Sequence, residues 1–147
     1  MDIVMHPIGV IRTPFTEPSE APIQASRSRA AGRVEVDPAF SPGLQDLEGF
    51  SHIYLLYVFH RSTGYALQVK PLLDARPHGL FATRYPARPN QVGLSVVRLM
   101  ARQGDTLEVE GVDMLDGTPL LDIKPYVPEF DVHAVTHTGW YAQRTEK

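Results

Sequence analysis

The chemistry open to this chain is concentrated in two stretches of opposite charge. Between Ala75 and Gln103 stand Arg76, Arg84, Arg88, Arg98 and Arg102 with no aspartate or glutamate, whereas residues 105–131 hold eight acids and one lysine. A guanidinium is a rigid fork of donors that meets two oxygens of a carboxylate or phosphate at once. Arg84 and Arg88, in a loop punctuated by Pro86, Pro89 and Asn90, are therefore candidates for binding an anionic substrate. The plainer reading makes each arginine a solvated loop charge paired with the acidic stretch, and for the block as a whole the two readings stand level.

Downstream, Asp122, Lys124 and Tyr126 alternate, so an extended backbone sets a carboxylate, an amine and a phenol on one face. These three are the catalytic candidates. Just before them, Asp116-Gly117-Thr118-Pro119 combines a tight turn with a hydroxyl and a proline that launches the next segment. Asp-Gly more often marks a simple hairpin. Histidine does not suggest a metal: His52 and His60 share a strand face but lie more than about 25 Å apart along it, and the residues around His133 and His137 make a poor helix. No metal site is expected. The sharp Gly-x-Ser-x-Gly turn of a serine hydrolase is absent, as are the P-loop and the Rossmann glycine fingerprint, so any nucleotide-like cofactor must be held by another fold.

These groups need positioning by a single domain, for which 147 residues suffice. The absence of cysteine excludes disulfides and thiolate chemistry, and a net charge of −3 argues against indiscriminate coating of nucleic acid. The N-terminus lacks a secretory pattern and no apolar run approaches membrane-spanning length, which reads as a soluble, cytoplasmic protein.

Thirteen prolines and eleven glycines divide the chain into short extended pieces. Strands are expected at residues 4–12, 31–37, 51–60, 68–73, 80–83, 94–101, 106–112 and 119–126, with a turn or two of helix at 42–49. The segment 51–60 is apolar on both faces and reads as a central strand. The long connection 13–30 is of a length more often functional than idle. The class is mainly β, a small closed barrel with long functional loops and little helix. Residues 1–130 are expected to form the domain, and 131–147 a tail that Trp140 and Tyr141 could dock on the body or on a partner subunit.

The stretches Ile8-Gly9-Val10-Ile11-Arg12-Thr13-Pro14-Phe15 and Pro22-Ile23-Gln24, together with 43–60, 76–99 and 113–126, resemble the tRNA methyltransferase O family, also called TsaA-like or YaeB-like. Several uncommon motifs occur in the family's order, which makes the signal specific. One departure is Arg88-Pro89-Asn90-Gln91-Val92-Gly93, where relatives commonly carry a second proline after the asparagine. Longer members also have a C-terminal domain thought to help hold tRNA, so this chain reads as the short form. The resemblance implies a small non-Rossmann β-barrel that binds S-adenosylmethionine as a homodimer. It also implies methyl transfer to N6 of threonylcarbamoyladenosine beside the anticodon of tRNA. Carried over by position, the cofactor-binding candidates are Gln24, Ala25, Ser26, Phe59, His60, Arg61, Arg84, Leu94, Asp116, Gly117, Thr118 and Pro119. Two alternatives remain: methyl transfer to a small molecule or another RNA, and a non-catalytic S-adenosylmethionine-binding regulatory module.

Overall fold

Alternation of Ile53, Leu55 and Tyr57 with Tyr54, Leu56 and Val58 builds the strand β3 (His52–Val58), whose first set is buried and whose second is half-buried. The computed structural model describes residues 1–23 and 28–145. Its described residues group into two compact units, Met1–His60 with Val92–Tyr126, and Arg61–Gln91 with Val127–Lys147.

The first unit is a closed barrel. Its strands are β1 (Gly9–Arg12), β2 (Ala31–Val36), β3, β6 (Val92–Gln103), β7 (Thr106–Glu110) and β8 (Thr118–Pro125). They close in the order β1-β2-β7-β6-β3-β8, and every neighbouring pair is antiparallel. Closure leaves no strand at an edge, so β3 is apolar on both faces without being central. One face fills the barrel, with Ile11, Val34, Ile53, Leu55, Val97, Leu107, Val109 and Leu120 almost wholly buried. The twelve-residue β6 serves two neighbours, pairing with β3 through Arg98 and with β7 from Arg98 onward. A register shift between Leu99 and Ala101 marks the change of partner.

Several sequence expectations shorten or change. The first strand covers only Gly9–Arg12 of 4–12, because Ile3, Val4 and Met5 are exposed. The expected helix at 42–49 is two 3-10 stretches, Pro38–Leu44 and Leu47–Gly49, which still bury Leu44 and pack Leu47 on the core.

In the second unit, β4 (Gln68–Val69) pairs with β5 (His78–Gly79). The expected strand at 68–73 thus keeps two residues. The strand expected at 80–83 is a 3-10 turn, Leu80–Ala82, closed when the Thr83 hydroxyl donates to Leu80 O at 2.7 Å. Leu80 is buried there while Phe81 is exposed, an alternation that resembles a strand in sequence. Residues 127–145 contribute a short helix, α1 (Pro128–Asp131), and a 3-10 stretch at Gly139–Gln143.

Candidate functional site

In the barrel unit, the C-terminal end of β3, the N-terminal ends of β6 and β8 and the loop 111–117 lie at one end, because Tyr57 pairs with both Gly93 and Leu120. Phe59, Leu94, Asp116, Gly117, Thr118 and Pro119 therefore share that end. The long connection 13–30 also starts and finishes there. Gln24, Ala25 and Ser26 lie outside the described residues.

The loop 111–117 is a plug rather than a hairpin turn, since β7 and β8 do not pair with each other. Val112 and Met114 are buried against the core. Its backbone is tied down along its length. Gly111 N–H donates to Ala30 O at 2.8 Å, Asp116 N–H to Phe15 O at 2.7 Å and Gly117 N–H to Ile11 O at 2.9 Å. Ser28 Oγ donates to Val112 O at 2.6 Å, and Thr13 Oγ1 to Met114 O at 2.8 Å. Thr13 N–H then donates to Asp116 Oδ1 at 3.1 Å, which fixes the carboxylate at the turn. Gly117 sits at φ +82, a left-handed conformation that favours glycine. Thr118 is buried, its hydroxyl donating to Leu115 O at 2.6 Å. Thr118 thus holds the turn's shape. In the first connection Glu20 Oε1 accepts from the Glu17 backbone N–H and from Thr16, bonds that lower its carboxyl pKa.

Two apolar side chains, Phe59 and Leu94, lie at this end of the barrel. Phe59 packs against Tyr57 in a T-shaped contact, ring centroids 5.5 Å apart, and Leu94 is 54% exposed. Between them Gly93 is buried, and a Cβ there would overlap the Tyr57 ring. Beneath lies a buried polar chain that the sequence reading passed over. Tyr57 Oη is 2.8 Å from Ser95 Oγ, and Ser95 Oγ donates to Asp113 Oδ1 at 2.6 Å. Ser95 is there because β6 aims it inward. The only sequence signal is its phase: it follows Gly93 and precedes Val97 on the inward face.

Asp122, Lys124 and Tyr126 have a different setting. A register shift opposite Leu56 and Tyr57 places Leu121 in a bulge, so Leu120 and Ile123 turn toward the core while Asp122 pairs across from Leu56 and Lys124 across from Tyr54. Lys124 Nζ meets Asp122 Oδ2 at 3.3 Å on the outer surface. Tyr126 packs edge-on against Tyr54 and His52 at 5.5 and 6.4 Å. From Thr118 to Tyr126 an extended strand covers roughly 26 Å, so Tyr126 and the Asp116 turn are at opposite ends of β8. Asp122 lines two surface cavities in this unit, of about 360 Å³ with Met5, His6, Leu56 and Val92, and about 600 Å³ with Phe40, Phe50, Leu44 and Ile123.

The arginine block divides. Arg98 and Arg102 belong to β6, where Arg102 donates to Leu44 O and Gly104 O. Arg61, Arg84 and Arg88 belong to the second unit. Arg88 Nη1 donates to Thr83 O and Tyr85 O, both at 3.0 Å, and its guanidinium lies 5.9 Å from the Phe81 ring centre, so it holds its own loop. Arg84 is exposed. In the same unit the buried Asp74 accepts from Arg76 Nε at 3.0 Å and Thr145 N–H at 3.1 Å, and lies 2.6 Å from His78 Nε2. Burial raises its pKa, but the hydrogen bonds from His78, Arg76 and Thr145 outweigh that and hold the carboxyl well below the usual carboxylate range. Trp140 stacks on His78 at 4.6 Å and donates to Ala82 O at 2.8 Å.

Residues 10–132 match the family model described as the tRNA-methyltransferase O N-terminal domain. The chain is 55% identical over 146 residues to the "Probable S-adenosyl-L-methionine-binding protein" of Pyrococcus abyssi, covering 99% of this chain and 79% of the relative. It is 38% identical to the tRNA (adenine(37)-N6)-methyltransferase of Mus musculus, over 88% of this chain and 32% of that protein. Among solved structures it resembles TrmO from Pseudomonas aeruginosa with a TM-score of 0.80 and 41% identity, over 95% of this chain and 62% of the other. The chain therefore spans less than two thirds of the TrmO structure and about a third of the mouse enzyme.

Proposed function

The chain belongs to the tRNA-methyltransferase O N-terminal domain family, and from that premise we propose that it is an S-adenosylmethionine-dependent methyltransferase. Its acceptor in this reading is N6 of threonylcarbamoyladenosine beside the anticodon of tRNA. The relatives' names support the cofactor and the base. Threonylcarbamoyl specificity, a homodimer and a cytoplasmic location are parts of the proposal; among the described residues no helix is long and apolar enough to cross a membrane.

The observation that carries the reading is the gathering of Asp116, the open backbone of Gly117, Phe59 and exposed Leu94 at one barrel end. These residues fit the group. Ribose hydroxyls suit a carboxylate already steadied by Thr13, a flat base suits Phe59 and Leu94, and apolar walls keep water from a cationic sulfur. At Gly117 an added Cβ would find Arg12 Nη1 3.9 Å away as its nearest neighbour among the described residues. Gln24, Ala25, Ser26, His60, Arg61, Arg84, Thr118 and Pro119 complete the proposed cofactor set.

S-adenosylmethionine, when bound, supplies a methyl group activated by a positive sulfur. The chain's own residues then have two tasks: to align N6 with that methyl and to take the proton that N6 loses as the new N–C bond forms. No covalent enzyme adduct is required. We assign the proton to the Asp122, Lys124 and Tyr126 face, with Asp122, steadied by Lys124, as acceptor. Arg84 and Arg88 are assigned to the substrate's carboxylate or phosphates.

A second reading has one specific support. Along β8, Asp122 is roughly 13 Å and Tyr126 roughly 26 Å from Thr118, so the far end of the assigned catalytic face lies beyond a cofactor seated at the turn. A binding module without transfer would need no bridge across that distance; in the transferase, a second copy would bring the two faces together. Titration calorimetry with S-adenosylmethionine alongside methyl transfer to tRNA separates the readings. Binding with transfer supports the enzyme, and binding without transfer the module.

A further inference from the structure

The Tyr57, Ser95 and Asp113 chain joins the three pieces of backbone that carry the barrel-end site. Tyr57 is two residues before Phe59 on β3, Ser95 is one residue after Leu94 on β6, and Asp113 is three residues before Asp116 in the plug loop. Ser95 and Tyr57 are only 4% and 3% exposed, so this polar chain is built into the barrel rather than laid over it. Burying hydroxyls is costly unless each finds its partner.

The direction of the chain is fixed by proton counting. A serine hydroxyl has one hydrogen, and Ser95 gives it to Asp113 at 2.6 Å. Ser95 Oγ can then only accept from the Tyr57 hydroxyl at 2.8 Å. The tyrosine ring is thereby locked in rotation as well as in depth. Because Gly93 has no side chain, the Tyr57 ring packs against the backbone of β6, and it also meets Phe59 in a T-shaped contact. Phe59 thus packs on a ring whose position that hydrogen bond helps to set.

We propose that Tyr57, Ser95 and Asp113 are positioning residues for the cofactor site, setting the spacing between the Phe59 wall and the Asp116-Gly117 turn. They touch neither the cofactor nor the reacting atoms. This inference rests on the reading of the barrel end as the S-adenosylmethionine site. It goes beyond that reading by making affinity depend on a buried relay rather than on contact residues alone.

The test is a double-mutant cycle on the full chain, reading S-adenosylmethionine Kd by calorimetry and Tm by thermal melting. Tyr57→Phe and Ser95→Ala should each weaken binding about tenfold, the size expected when a buried chain ending on a charge is cut. Because the two act as one chain, the double variant should be no weaker than the worse single variant. Asp113→Asn, in the half-buried loop, keeps an acceptor oxygen for Ser95 and should lose less than threefold. It also provides a third variant should either barrel substitution fail to fold. Unchanged Kd in folded Tyr57→Phe and Ser95→Ala, even with lowered Tm, would overturn the relay while leaving the site intact, as would strictly additive losses. Failure of the unsubstituted chain to bind would remove the site reading and the relay with it.

Discussion

Thr13 and Asp116, 103 residues apart in sequence, are joined by a 3.1 Å hydrogen bond from the Thr13 backbone N–H to Asp116 Oδ1. That bond holds a carboxylate at the mouth of the barrel instead of leaving it to wander on a turn. It separates two properties of Asp116, its shape and its charge.

Replacing Asp116 by Asn keeps an oxygen for Thr13 but removes the charge, so the fold should be nearly unaffected while S-adenosylmethionine affinity falls about tenfold. Asp116→Ala should lose both affinity and several degrees of Tm. Calorimetry and melting on the two variants check this. Equal affinity for the Asn variant and the parent would remove Asp116 from the site.

Gly93→Ala should destabilise the barrel by about 1–3 kcal/mol, because the new methyl overlaps the Tyr57 ring and the core has no slack. Urea denaturation measures it. A change within about 0.5 kcal/mol would show that Tyr57 can retreat, and would weaken the case that Gly93 fixes its ring.

How far these relationships were legible in the sequence depends on their range. The alternation of Ile53, Leu55 and Tyr57 is written in β3 itself, and so is the mainly β character of the chain. Asp116-Gly117 stands out as a turn, yet its local pattern is that of a hairpin. That it plugs a barrel end depends on Ile11, Thr13, Phe15, Ser28 and Ala30, none of them near in sequence. The Asp122, Lys124 and Tyr126 alternation is equally plain. The bulge at Leu121 that turns Asp122 outward is set by pairing with Leu56 and Tyr57, which a single strand's sequence does not encode. The run of arginines looks like one patch because chain order is not spatial order: Arg98 and Arg102 leave on β6, and Arg88 is occupied with the carbonyls of Thr83 and Tyr85.

Asp74 predicts an acid-sensitive second unit. Its folded pKa lies below the unfolded 3.8, so its stabilisation is present above that value and drains away as pH falls below it. The chain's single tryptophan, Trp140, stacks on His78 and reports the same cluster. In Asp74→Asn its emission should be red-shifted at pH 7, and the difference from the parent should narrow progressively as pH falls below 3.8. A constant difference across that range would mean that the Asp74 charge is not what holds the segment.

For RNA, Arg88→Ala should lower the slope of log affinity against log salt by about 0.9, one phosphate contact, while leaving S-adenosylmethionine affinity unchanged. Arg88→Lys keeps the charge but cannot reproduce the fork on Thr83 and Tyr85. Retention of the slope in the lysine variant assigns the effect to charge. Loss in both assigns it to the loop, and loss of cofactor binding moves Arg88 into the cofactor set.

The central claim is transfer to N6 of threonylcarbamoyladenosine, and it is tested most directly by mass spectrometry of anticodon-loop nucleosides. The chain is incubated with S-adenosylmethionine and tRNA that either carries or lacks the threonylcarbamoyl group. A carbamoylated N6–H is more acidic than a plain amine and needs only a modest base, and the substrate carboxylate suits an arginine fork. The predicted result is one added methyl on the modified adenosine and a far slower reaction on the unmodified one. Equal methylation of both tRNAs, or of neither, would contradict it.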